Sequence, residues 1–112
     1  MPTYQDIKSD IAAINLKSKK LATMSREDIF DLLSEITFVN DKIADFIYEL
    51  DKEIDSVSTT VIKENPSASA TALKSLIKVQ TSRFESDKAW ASRQSSNLKD
   101  IRISALAAQR AL

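Results

Sequence analysis

The residues that could do chemistry fall into three groups. Eleven carboxylates crowd residues 27–64: Glu27, Asp28, Asp31, Glu35, Asp41, Asp45, Glu49, Asp51, Glu53, Asp55 and Glu64. Carboxylates on a helical bundle can hold Mg²⁺, because hard cations take oxygen ligands. The nearest matches to paired acidic motifs are Asp28-x-x-Asp31 and the run Glu49–Asp55, and no ExxD follows in the last third of the chain. Most of these side chains also fall opposite the apolar stripe described below, which makes them first a solvated face. The second group is basic: Arg83, Lys88 and Arg93 stand around the single tryptophan, Trp90, with Arg102 further along. Aromatic side chains interleaved with cations are how proteins hold single-stranded nucleic acid. The third is Lys17-x-Lys19-Lys20, placed where a helix C-terminus favours cations.

What is missing limits the chemistry further. The chain has 112 residues with no Gly, no His and no Cys, where average usage predicts about 8 glycines. Phosphate-cradling loops, the GxGxxG turn and the nucleophile elbow all need glycine for close backbone approach. Without histidine there is no imidazole base and no His-containing metal site. Without cysteine there is no disulfide, thiolate zinc site or thiol nucleophile. The expectation is a protein that is not an enzyme, with no cofactor, no metal and no small-molecule substrate.

These groups must be positioned by helices. Only Pro2 and Pro66 punctuate the sequence, and the lack of glycine disfavours hairpin turns that need positive φ. Tyr4, Ile7, Ile11, Ile14 and Leu21 share one helical face behind Thr3 and Asp6, a capping-box pair. Ser25 with Asp28 repeats that signal. Ile29, Ile36, Ile43, Leu50 and Val57 then recur every seven residues, flanked by Leu32, Val39 and Phe46 on one side and Leu33, Ile47, Ile54 and Val61 on the other. Asn65-Pro66 stops this helix, because the residue before proline is pushed out of the α region. A second stripe follows: Ile77, Phe84, Ala91, Leu98, Ala105 and Leu112.

The fold expected is all-α and a single domain over residues 1–112. A short helix over 4–21 packs on a long, coiled-coil-like antiparallel hairpin of helices at 26–64 and 67–112. Folding about residues 62–67 brings Ile54 to Ile77, Ile47 to Phe84 and Leu33 to Leu98, and sets Asp28 near Arg102. In that register Ile36, Ile43 and Leu50 look toward Gln94, Asp87 and Gln80. Polar groups buried without partners cost free energy, so another element must cover those three residues. The first helix and a second copy of the chain are the two candidates, and a homo-oligomer is expected.

The net charge of zero divides unevenly. Residues 1–65 hold 8 basic and 13 acidic side chains, net −5, and residues 66–112 hold 8 basic and 3 acidic, net +5. Opposite arms attract, which guides antiparallel pairing; a basic third helix also suits phosphates or an acidic partner. No uncharged run approaches the roughly 20 apolar residues that span a bilayer, and the first 20 residues are too charged for a secretory signal. No membrane partner and a cytoplasmic location are expected.

The stretch Ser82–Leu106 spaces Trp90, Arg93, Lys99 and Arg102 along one helix, within a plan of a short N-terminal helix and a long Ser/Lys/Arg-containing hairpin. Over about the last 50 residues this pattern resembles the C-terminal arm of small phage-encoded helical accessory proteins. Some of that loose group act in recombination as mediators on single-stranded DNA, and others chaperone tail assembly. The resemblance implies a phage protein in the host cytoplasm. Two functions follow as expectations. One is a non-catalytic assembly or adaptor protein, self-associating and binding a protein partner through Ile36, Ile43, Leu50 and Trp90. The alternative is a single-strand nucleic-acid binder using Arg83, Lys88, Trp90, Arg93 and Arg102.

Overall fold

The computed structural model describes residues 3–112. Three α-helices, α1 (Tyr4–Ser18), α2 (Arg26–Glu64) and α3 (Ala70–Ala111), follow one another with a single 3₁₀ turn at Leu21–Thr23. The described residues contain no strand and no positive φ. The fold is an all-α helical hairpin, and no helix in the described residues is long and apolar enough to cross a membrane.

Each start is set by a side-chain oxygen that satisfies an unpaired helix N–H. The Thr3 hydroxyl accepts from the Asp6 N–H and the Asp6 carboxylate accepts from the Thr3 N–H, both at 3.2 Å. Ser25 accepts from the Asp28 N–H at 3.1 Å and Ser69 from the Ala72 N–H at 3.2 Å. The ends lack a glycine to supply a left-handed cap. α1 therefore closes at Ser18, short of the expected residue 21, and the chain leaves through the 3₁₀ turn. At the end of α2 the Asn65 side-chain amide donates to the Val61 carbonyl at 2.8 Å, covering one unpaired last-turn acceptor. The Ala68 N–H then reaches back to the Asn65 carbonyl at 3.1 Å. That turn occupies Pro66 and Ser67, so Ser69 becomes the cap and α3 begins at Ala70, three residues later than the sequence suggested.

The later start shifts the hairpin register. The expected register sets Ser95 opposite Ile36; its hydroxyl instead donates to the Asn40 side chain at 3.4 Å, one helical turn along. Lys88 meets Asp51 at 2.6 Å, and Asp28 and Arg102 make no ion pair.

α1 lies in the groove between the long helices. Asp10 pairs with Lys42 and Lys17 with Glu35, so α1 runs antiparallel to α2. Tyr4 meets Trp90 and Asn15 accepts from the Asn97 amide, so it runs parallel to α3. Ile7, Ile11 and Ile14 join Ile29, Leu32, Ile36, Val39, Ile43, Phe46, Leu50, Ala91, Leu98 and Ala105 in one core. Ala91 and Ala105 are fully buried, which lets α3 approach α2 closely. The molecule measures 66 × 23 × 17 Å. α1, at 15 residues about 22 Å long, covers only one end of it. The result is a three-helix base and, beyond Leu50 and Trp90, a two-helix arm ending at the Pro66 turn.

Candidate interaction surfaces

Ile36, Ile43 and Leu50 are buried, at 0%, 1% and 6% exposure. The open apolar surface expected beside them is closed within the chain, because α1 supplies the cover for which the sequence also offered a second copy. They are core residues in this structure.

Trp90 is half-buried. Its ring lies 4.4 Å, centroid to centroid, from that of Tyr4 and is tilted by 48°, at the near edge of the spacing at which aromatic pairs attract. Trp90 therefore fastens the N-terminus of α1 to α3. Lys88 turns the other way, to Asp51. The hydrogen bond with Asp51 raises the Lys88 pKa above its ordinary 10.5; burial opposes this, and the Asp51, Glu85 and Asp55 charges add to it. Arg83, Arg93 and Arg102 are exposed. At about 100° per residue, Arg83, Trp90 and Arg93 fall within about 80° of one another on α3, and Lys88 lies about 140–160° round the helix from them. Three of these four residues share a face, and Lys88 is turned from it to Asp51.

Arg102 belongs to a different constellation. It lines an open groove between α2 and α3 together with Asn40, Ile47, Ser92, Ser95, Ser96 and Lys99. Positions 92, 95, 99 and 102 step by three and four residues along one edge of α3, about 140–160° around the helix from Asn97, which touches α1. The groove thus lies away from α1. It exists because serines on α3 and Asn40 on α2 are too short to fill the seam. Its lining holds two cations, three hydroxyls and an amide, and no carboxylate. Phosphate oxygens accept hydrogen bonds from all of these. The sequence reading missed Ser92, Ser95, Ser96, Lys99 and Asn40 as a set; the three-and-four spacing was the signal.

The other notable surfaces are apolar. On α2, Phe30, Phe38 and Tyr48 are each about 60% exposed, and Lys42 and Lys52 stand 4.8 and 5.1 Å over the rings of Phe38 and Tyr48. On the arm, Val79 is 74% exposed, Ile62 53% and Leu76 38%. The acidic residues do not gather: no group of three His, Cys, Asp or Glu in the described residues is arranged to hold a metal ion.

Comparison of the chain with protein-family models, with curated proteins and with solved structures finds no match.

Proposed function

We propose that the protein is a non-catalytic helical adaptor that works by holding a protein partner on its two-helix arm. The observation that carries this reading is the unequal length of the three helices. Where α1 lies, Ile36, Val39 and Ile43 are covered; where it is absent, Leu76 and Val79, in phase with Trp90 on α3, stand exposed. Two helices alone cannot bury their apolar side chains on all sides, and apolar surface with no internal cover is the usual substance of a protein contact. The self-association expected through Ile36, Ile43 and Leu50 loses its surface and is not retained. The proposed setting is the cytoplasm, and the phage accessory class is the one whose plan the chain resembles.

A second reading is favoured by the groove around Lys99 and Arg102: contact with the phosphates of a single-stranded nucleic acid. It moves the expected contact from Arg83, Lys88, Trp90 and Arg93 to Ser92, Ser95, Ser96, Lys99 and Arg102. One experiment separates the two readings. A photo-crosslinkable residue is placed at position 79, 99 or, as an exposed control on α2, 34, and irradiated in the cell that makes the protein. The adaptor reading expects protein adducts at 79 and not at 34. Nucleic-acid adducts confined to 99 would support the second reading instead. Absence of any adduct at both 79 and 99 would remove both.

A further inference from the structure

By helical phase, the faces of α2 and α3 that hold α1 continue past its N-terminus and still carry apolar residues there. Val79 and Leu76 lie eleven and fourteen residues before Trp90, close to three and four full turns. They therefore stay on the α3 face that meets α1 through Trp90. On α2, Val57 lies eleven residues after Phe46 and fourteen after Ile43, and so stays on the face that those core residues present. The free length of α2 from Leu50 to Glu64 is about 21 Å, close to that of α1 itself.

α1 also shows what the groove asks of its occupant. It offers an apolar stripe, Ile7, Ile11 and Ile14, and sets Lys17 against Glu35 on the rim of α2. That rim repeats along the arm: Glu53 is eighteen residues, five turns, beyond Glu35, and Glu64 falls eight turns beyond it. Both are exposed. The opposite wall, residues 70–84 of α3, carries Lys74, Lys78 and Arg83 and no acidic residue. A two-fold pairing that laid one arm head to tail over another would stack α2 on α2 and α3 on α3, acid on acid and base on base. A second copy in that arrangement is thus a poor fit.

We propose that the arm is the docking groove for an amphipathic helix of a partner protein, about four turns long, with Lys or Arg along the edge that meets Glu53 and Glu64. It would sit end to end with α1. This rests on the adaptor reading and names the partner's chemistry.

The test uses the full chain and two synthetic peptides of about 16 residues, both with leucines at helical i, i+3, i+4 and i+7 spacing. One has lysines along the flanking edge and the other has glutamates there. Binding is read by fluorescence anisotropy of the labelled peptide. The lysine peptide is expected to bind at least about tenfold more tightly than the glutamate peptide, and less tightly at high salt. Val79→Asp should abolish the binding without changing helicity, since Val79 is exposed. Glu53→Lys with Glu64→Lys should reverse the preference. Equal binding of the two peptides, no binding of either, or binding indifferent to Val79→Asp would overturn the proposal. Concentration-dependent dimerisation that Val79→Asp abolishes would also overturn it, in favour of a second copy. A protein crosslink at position 79 with neither peptide bound would remove the basic-edged helix and leave the adaptor; no crosslink would remove both.

Discussion

At the scale of single residues, the structure separates side chains that hold the fold from side chains left over. Ile43 is the clearest case. It is buried at 1% exposure in the core shared by all three helices, so Ile43→Ala should cost about 2–5 kcal/mol in a urea titration. The loss should not depend on protein concentration; a cost that grew on dilution would make it an interface residue after all. Ala91, fully buried, makes the converse point: Ala91→Leu should destabilise by about 1–3 kcal/mol, because the helices have no room to separate without strain. Asp6 gives the chain a pH response. Its hydrogen bonds with the Thr3 hydroxyl and backbone lower its pKa from the ordinary 3.8. A carboxylate with a lowered folded-state pKa contributes stability that is complete above its unfolded value and is lost as pH falls through the folded one. Protection factors of the first-turn amides of α1, taken relative to intrinsic exchange at each pH, should therefore fall below about pH 4, and Asp6→Asn should abolish that fall.

At the scale of elements, α2 was the most legible part of the sequence. Ser25 with Asp28 marks its start, Asn65-Pro66 its stop, and the stripe from Ile29 to Val57 its buried face; the structure has Arg26–Glu64. The start of α3 was less legible because Ser67 and Ser69 are both able caps, and only the turn hydrogen bond between Ala68 and Asn65 decides between them. Ser69→Ala should accordingly cost about 1 kcal/mol in thermal unfolding, and Ser67→Ala much less. The sequence also left open what covers Ile36 and Ile43, since an apolar stripe does not say whether its cover comes from the same chain. Lys17–Glu35 and Asp10–Lys42 settle it in favour of α1, though partly exposed ion pairs of this kind contribute only about 0–1 kcal/mol each. The basic residues were the least legible. Closeness in sequence around Trp90 suggested a patch, but on a helix it is residues three, four and seven apart that share a face. Arg83, Trp90 and Arg93 obey that rule, as do Ser92, Ser95, Lys99 and Arg102 in the groove, whereas Lys88 does not and pairs with Asp51 instead.

At the scale of the whole molecule, the division into a three-helix base and a two-helix arm organises the rest. The base carries thirteen residues of continuous core, while the arm beyond it has Val61 and Thr81 as its buried residues. A chain lacking residues 1–20 should bare Ile36, Val39 and Ile43. It is expected to associate more strongly in light scattering than the full chain, because apolar surface of that extent favours self-contact. The arm should exchange its backbone amides faster than the base, since local opening is easiest where few apolar contacts are lost.

The lone Trp90 stands at the step between these two regions, against Tyr4, and the chain has no other indole. Its emission is therefore a built-in, label-free reporter of whether α1 is docked, while circular dichroism is dominated by α2 and α3. If unfolding is a single concerted event, the two signals will trace one curve. A tryptophan red shift that precedes the loss of ellipticity would reveal a populated state in which the long hairpin persists and its inner groove lies open from end to end.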